Sequence, residues 1–408
     1  MEYQNFQLKN GIRIIHRYTD SMIAHMGLII NAGSRDENEE EHGIAHFIEH
    51  SLFKGTTRRK SYHIISRLED VGGELNAYTT KEETCIYASF LDTECKRAME
   101  LISDIVFHSV FPEKELEKEK VIVEDEINSY RDTPGELIFD DFEEIVYQGT
   151  PFERNILGTP QSVSEFTRGQ IHAFIRDNYA TDEMVLSIIG NIPFKKVIKW
   201  AEMYFSEVPA QTRQRKRYSV DILPYIPSIQ KKEKGTHQVH CVIGNRAYNL
   251  NNEKRLALHL LNNILGGPGM NSRLNMSLRE RNGYSYNVES SYNPYVDTGL
   301  FSIYFGVEPK NLDKSLRLIT KEFKLLKHKS LGILQLSRAK KQLLGQLAIA
   351  SENNENAMLS MAKSFLVFNR IEDMEDVRKK LDVITAEDLM EVANEILEDQ
   401  LLSQLIYK

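Results

Sequence analysis

Two histidines and a glutamate within five residues are the strongest sign of chemistry in this sequence. Residues 46–50 read His-Phe-Ile-Glu-His, and the spacing of apolar side chains over 42–53 predicts a helix. On a helix, His46 and His50 lie one turn apart, so both imidazoles can bind one Zn²⁺. Glu49 lies beside them, where its carboxylate can act as the general base toward an attacking water. The spacing therefore indicates metal-assisted hydrolysis.

A catalytic zinc site normally has three protein ligands and leaves one position open for water, so a third ligand is needed. The best candidate is Glu126, on a charged helix predicted over 113–131, with Glu119 two turns earlier on the same face as its support. The neighbouring acidic side chains are expected on a solvated face; they are Glu117, Glu124 and Asp125. Zinc is the expected metal, although Mn²⁺ or Co²⁺ also suits two histidines and one glutamate. Without a third ligand, the histidine pattern could arise by chance among 12 histidines in 408 residues.

The motif and its surroundings resemble the pitrilysin and insulin-degrading-enzyme family of zinc peptidases, in its mitochondrial-processing-peptidase-like branch. The resemblance runs from Gly43 through the motif to residues 53–56, Phe-Lys-Gly-Thr, and extends over nearly the whole chain. Glu126 follows His50 at a spacing similar to that of the third ligand in the family, and Glu119 falls at the position of its supporting glutamate. The resemblance thus implies a zinc site in the first domain, and because no HxxEH motif recurs in the second, we expect one Zn²⁺ per chain.

Two other segments carry the same resemblance. Residues 76–79, Asn-Ala-Tyr-Thr, are similar to a family strand that binds substrate by strand addition, which implies a substrate-binding role for Asn76 and Ala77. The spacing of Arg279 and Tyr286 resembles the signature of the second domain. It implies a guanidinium that holds a substrate carbonyl and a phenol that donates to the oxyanion.

Taken without the resemblance, Arg279 would be a helix-surface residue and Tyr286 a strand residue. Tyr284 and Ser285 depart from the family pattern just before Tyr286. Tyr284 therefore competes with Tyr286 for the proposed role.

The order of elements predicts an α+β protein of two structurally similar domains, each a mostly antiparallel sheet packed with helices, joined by a linker. We expect a zinc-binding domain over residues 1–208, a polar, proline-bearing linker over 209–229, and a homologous domain over 230–408. The pattern of 163–189 returns at 383–406, which favours a duplication. The second domain carries Arg279 and Tyr286 but no HxxEH motif.

Composition excludes several classes of protein. The net charge of −8 disfavours a nucleic-acid surface, and no apolar run reaches the roughly 18 residues of a membrane span. The basic run at 213–217 is expected to be solvated linker, with a surface for nucleic acid or anionic lipid as the lesser alternative. Three cysteines without CxxC spacing are expected to be buried thiols in a cytoplasmic protein.

These observations predict a zinc endopeptidase that hydrolyses peptides or unfolded polypeptides in an enclosed chamber. The resemblance implies that a chamber takes four such domains, so a two-domain chain would act as a homodimer. Each site would then take zinc ligands from one subunit and Arg279 with Tyr286 from the other. The alternative is a catalytically silent subunit or scaffold, which the complete motif disfavours.

Overall fold

The structure, a computed structural model, describes residues 3–220 and 223–408. Residues 1 and 2 of the first predicted domain and residues 221 and 222 of the predicted linker lie outside the described residues. The strands are β1 Tyr3–Gln7, β2 Arg13–Tyr18, β3 Ile23–Ile30, β4 Glu74–Thr79, β5 Thr84–Leu91, β6 Met184–Gly190, β7 Ile229–Lys232, β8 Val239–Arg246, β9 Ser285–Pro294, β10 Gly299–Val307 and β11 Ser403–Tyr407. The helices are α1 Ile44–Ser51, α2 Ser61–Glu69, α3 Cys95–His108, α4 Glu113–Arg131, α5 Pro134–Val146, α6 Pro160–Glu165, α7 Arg168–Asn178, α8 Phe194–Phe205, α9 Arg255–Gly266, α10 Leu312–His328, α11 Ile333–Ser351, α12 Asn354–Phe368, α13 Met374–Val383 and α14 Ala386–Ile396.

The first sheet has six strands in the order β1-β2-β6-β3-β5-β4. All neighbouring strands are antiparallel except β2 and β6. Strands β1 and β2 form a hairpin that opens the sheet, and Gly11 in its turn has a φ of 100°, a conformation that favours glycine. Strand β4 forms one edge of the sheet, so its outer side is open to another strand.

The second sheet repeats the first strand by strand. Its order is β7-β11-β8-β10-β9, with β7 and β11 parallel and the other pairs antiparallel. In chain order these five strands correspond to β2 through β6, and no counterpart of β1 occurs among the described residues. The predicted pair of similar α+β domains is thus confirmed.

The two compact units exchange segments of chain. The first unit comprises residues up to 128, then 154–218 and 349–371, and the second comprises 129–153, 219–348 and 372–408. Helix α12 therefore covers β3 and β6 of the first sheet, and α5 covers β8 and β11 of the second. The contiguous domains predicted from the sequence, 1–208 and 230–408, differ from these units in the two exchanged segments.

An apolar stripe on α12 explains its position on the first sheet. Met358, Met361, Ala362 and Phe365 follow helical spacing and join a buried cluster with side chains of the sheet. The sulfur of Met358 lies over Gly27, where a Cβ would come within 3.0 Å of it. A larger residue at position 27 would therefore require the Met358 side chain to shift.

The expectation of a solvated basic run at 213–217 is wrong. The side chains of Arg213, Arg215 and Arg217 are only 11% to 18% exposed, and the residues between them face solvent. Arg213 and Arg217 pair with Asp36 at 3.2 Å and 2.7 Å, and Arg215 pairs with Glu41. In an extended segment, side chains point alternately to opposite sides. Every second side chain of 213–217 therefore points toward Asp36 and Glu41, and the three guanidiniums are paired with these carboxylates.

In the described part of the chain, no helix combines the length and the apolar character that crossing a bilayer requires.

The packing of α12 predicts the effect of shortening one of its buried side chains. Met358→Ala should lower the free energy of unfolding of the first unit by about 2–5 kcal/mol, because it leaves a cavity over Gly27. Urea titration measures the change. Ile349→Ala, at an exposed site of the preceding helix, is the matched control and should change stability by less than about 0.5 kcal/mol. Equal, small effects of both substitutions would contradict the packing described for α12.

Candidate metal centre

The short helix α1 has one wholly buried side and one polar side. Its apolar residues are fully buried in the core of the first unit; they are Ile44, Ala45, Phe47 and Ile48. The helix packs against β4 and α7. Because successive residues turn by about 100°, burial of this side directs His46, Glu49 and His50 away from the core.

His46, His50 and Glu126 come together as the sequence predicts. His50 Nε2 lies 3.3 Å from Glu126 Oε2, and His46 Nε2 lies 3.8 Å from Glu126 Oε1. One ligand atom from each residue lies within 4.8 Å of the others, and no second group of this kind occurs among the described residues. Ligands bound at 2.0–2.2 Å to one ion must approach each other this closely. The three residues therefore fit a zinc ion.

A chain of opposite charges supports His50. Its Nδ1 lies 3.1 Å from Glu119 Oε1, and Lys54 Nζ lies 2.7 Å from Glu119 Oε2. Donation from Nδ1 to Glu119 leaves Nε2 free as the ligand atom. The sequence predicts no role for Lys54, although a buried glutamate such as Glu119 requires a cationic or hydrogen-bonding partner.

The same contacts set the protonation of the site. Burial, together with the neighbouring His50, lowers the pKa of His46 to about 4. Burial also lowers the pKa of His50, but hydrogen bonds with Glu119 and Glu126 outweigh it and raise that pKa to about 9. The hydrogen bond with His50 lowers the pKa of Glu126. At neutral pH, His46 and Glu126 are thus already in the form that binds a metal, and His50 must release a proton.

Glu49 lies in a setting that suits a general base. Burial raises the pKa of its carboxyl, while the Thr79 hydroxyl and His50 act in the opposite direction. A pKa that is moved toward neutral strengthens a carboxylate as a proton acceptor. Thr79, at the end of β4, is a second residue near the site that the sequence analysis gave no role of its own.

The predicted substrate-binding residues lie on the edge strand β4. Asn76 pairs with Tyr87 and Ala77 with Ile86 of β5, on the inner side of the strand. The outer side of β4 is not paired with another strand of the sheet. This geometry suits strand addition, and binding of substrate by Asn76 and Ala77 stays a prediction.

Arg279 and Tyr286 lie in the second unit, next to each other. Arg279 belongs to a π-helix, Asn275–Glu280, that the sequence analysis did not predict, and its Cζ lies 5.1 Å from the centroid of the Tyr286 ring. Tyr286 is 83% exposed, whereas Tyr284 lies beneath Lys314, whose Nζ is 5.5 Å from the ring centroid. The structure thus brings Tyr286 to Arg279, whereas the Tyr284 ring contacts Lys314.

Comparison with known proteins places this geometry in a family. Residues 13–160 match the family described as Insulinase (Peptidase family M16), and residues 165–343 match the Peptidase M16 inactive domain. The uncharacterized zinc protease YmxG of Bacillus subtilis is 31% identical over 99% of this chain and 98% of its own length. The chain belongs to peptidase family M16. This is the pitrilysin and insulinase-like family that the motif resembles, and the processing-peptidase-like branch stays a prediction.

Other proteins match over similar lengths. An uncharacterized zinc protease of Rickettsia felis is 32% identical over 98% of this chain and 96% of its own length. The structure of a protease from Helicobacter pylori aligns with a TM-score of 0.90 at 20% identity, covering 100% of this chain and 99% of that one. A Pseudomonas fluorescens structure described as a peptidase M16 inactive domain aligns with a TM-score of 0.91 at 20% identity, covering 100% and 98%. These two structures show the shared fold.

Proposed function

We propose that this M16 protein is a zinc-dependent endopeptidase that hydrolyses peptides or unfolded polypeptides. The observation that carries the proposal is the convergence of His46, His50 and Glu126, with Glu49 beside them in the first unit. The zinc proteases among its relatives support the same assignment. A silent scaffold would have no need of this complete set, and it is the less supported alternative.

Each residue of the site has one task in this mechanism. His46 and His50, through Nε2, and the carboxylate of Glu126 would hold the ion. Bound Zn²⁺ would supply Lewis acidity and lower the pKa of water toward about 7. Glu49 accepts a proton from the attacking water while the water oxygen adds to the peptide carbonyl carbon. Glu49 then delivers that proton to the leaving nitrogen when the C–N bond breaks. Glu119, held by Lys54, keeps His50 oriented.

The substrate would be bound as an added strand. The outer side of β4 offers backbone groups near Asn76 and Ala77, and backbone hydrogen bonds tolerate different side chains. Only an extended segment can pair in this way. This requirement favours peptides and unfolded chains over folded proteins.

The enclosed chamber and the homodimer belong to the proposal as well. The helix α9 of the second unit has one histidine and no glutamate, so we assign one Zn²⁺ per chain. Arg279 and Tyr286 would act on a site whose zinc ligands come from the other subunit, with Arg279 on the substrate carbonyl and Tyr286 as donor to the oxyanion. We place the protein in the cytoplasm, because its three cysteines are buried free thiols, which suits a reducing compartment.

Substitutions separate the ligands from the base. Glu49→Gln should keep stoichiometric zinc and lose about 10²-fold or more in kcat, because it removes only the proton acceptor. His46→Ala, His50→Ala and Glu126→Gln should lose zinc as well as activity. Metal analysis and a mass-spectrometric assay on a peptide mixture check both effects. Glu124→Gln is the control for Glu126→Gln, because Glu124 is exposed on the same helix, α4. It should retain both zinc and activity. Stoichiometric zinc in Glu126→Gln would remove Glu126 from the ligand set.

Mixed dimers test whether the two units cooperate across subunits. We expect that His50→Ala and Arg279→Ala proteins, each inactive alone, regain about one quarter of wild-type activity after subunit exchange. Random exchange makes half of the dimers mixed, and each mixed dimer has one complete site. Native mass spectrometry shows that exchange has occurred. Exchange without recovered activity would contradict the cross-subunit arrangement.

A further inference from the structure

The two histidines of the metal centre are held in different ways. His50 is oriented through its side chain, since its Nδ1 lies 3.1 Å from Glu119. The Nδ1 of His46 is buried and has no hydrogen-bond partner in the described part of the chain. The His46 ring packs edge-on against the His50 ring, with 4.6 Å between the centroids, and the backbone of the first turn of α1 sets the point from which the side chain extends.

That first turn has no local capping side chain. The first N–H groups of any helix lack partners within it, and in α1 the N-cap residue is Gly43, with a φ of 93°. A Cβ at Gly43 would lie 2.6 Å from the Cα of Gly158. The usual serine, threonine, asparagine or aspartate cap is thus excluded both by backbone conformation and by space.

A carboxylate from outside the helix replaces the missing cap. Glu37 Oε2 accepts a hydrogen bond from the Gly43 N–H at 2.9 Å, and Glu37 Oε1 accepts one from the Ala45 N–H at 3.0 Å. Ala45 directly precedes His46. One buried carboxylate, 4% exposed as a residue, therefore holds both the N-cap and the second residue of an eight-residue helix.

Glu37 is itself fixed by its neighbours. Arg154 Nη2 donates to the backbone oxygen of Glu37 at 2.6 Å, and Lys81 Nζ donates to the backbone oxygen of Arg154 at 2.6 Å. The backbone N–H of Glu37 also donates to Ser34 O at 3.3 Å. The backbone of Glu37 is thus held by Arg154 and Ser34, which fixes the point from which its side chain extends toward α1.

We propose that Glu37 is a positioning residue for His46, setting the first turn of α1 so that His46 Nε2 lies at the distance from His50 and Glu126 that a metal requires. The proposal rests on the proposed function, in which His46 is a zinc ligand. Metal ligands must be held within about 0.5 Å of their working position. Glu37 does for His46, through the backbone, what Glu119 does for His50 through its side chain.

Glu41 provides a matched control in the same loop. It is also acidic and mostly buried, at 8% exposure. It accepts a hydrogen bond from the Asn38 N–H at 2.9 Å and pairs with Arg215, so its hydrogen bonds do not go to α1. A substitution at Glu41 removes a buried acceptor from this region without removing the cap of the metal-binding helix.

The test compares Glu37→Gln with Glu41→Gln in the full chain. The zinc dissociation constant is measured by competition with a chelator, the visible spectrum of the Co²⁺ form reports ligand geometry, and thermal unfolding of the metal-free proteins reports stability. Glu37→Gln should weaken zinc binding by about 10- to 100-fold, the range for residues that orient metal ligands, and should shift the Co²⁺ bands. Glu41→Gln should bind zinc like the wild type, even where it lowers the melting temperature. Glu37→Asp, which keeps the carboxylate, should recover part of the affinity.

Wild-type affinity and an unchanged Co²⁺ spectrum in Glu37→Gln would overturn the proposal. Equal losses of zinc affinity in Glu37→Gln and Glu41→Gln would also overturn it, because they would reduce Glu37 to a general stabilising role. If Glu37→Gln does not fold, the same comparison is made with Glu37→Asp, where wild-type affinity and spectrum count against the proposal. Failure of the wild type itself to bind zinc is a distinct outcome, which would overturn the proposed function.

Discussion

Burial of the apolar side of α1 is the constraint on which the metal centre depends. Phe47 and Ile48 are completely enclosed, so the helix cannot rotate about its axis without exposing them. A rotation of one residue would turn the two histidines by about 100° and separate them from Glu126. The facing helix α4 is fixed by the same means, because Val123 and Ile127 are buried on the side that it presents to the core. Two apolar contacts thus set the relation between ligands that are far apart in sequence.

Ion pairs and hydrogen bonds then orient the side chains that packing has brought together at the metal centre. Lys54, Glu119, His50 and Glu126 form a row in which cationic or proton-donating groups alternate with carboxylates. Each neighbour stabilises the charged or hydrogen-bonded form of the next, which explains why the pKa of His50 rises despite burial. The second unit has a similar sheet, and no second group of three metal-ligating side chains occurs among the described residues. It presents an exposed pair, Arg279 and Tyr286, which the proposed function uses at a partner's site.

The sequence predicts those features that are determined locally. The helix predicted over 113–131 has the observed bounds, because apolar periodicity and flanking breakers determine them. The convergence of His46, His50 and Glu126 follows from helical spacing together with the family resemblance. Local sequence patterns do not identify which distant segment packs against a given helix or strand. The stripe on α12 predicts that one face is buried, but it does not tell which sheet covers that face.

Contacts between residues far apart in sequence also explain why the prediction of a solvated run at 213–217 is wrong. They explain as well why some residues near the site have no predicted role. A run of arginines is typical of a solvated segment unless the chain brings carboxylates to it, and Asp36 is almost 180 residues away in sequence. Glu37 and Lys54 act through contacts that exist only after folding. Glu37 had one signal in the sequence, since a helix that begins after a glycine lacks a local cap and needs an acceptor from elsewhere.

The central claim is that His46, His50 and Glu126 bind one zinc ion. Anomalous diffraction from a crystal of the protein, measured on both sides of the zinc absorption edge, tests it most directly. The account predicts one peak per chain, at about 2.0–2.2 Å from His46 Nε2, His50 Nε2 and a carboxylate oxygen of Glu126. A peak coordinated by other residues, or no peak at this position in protein supplied with zinc, would contradict it.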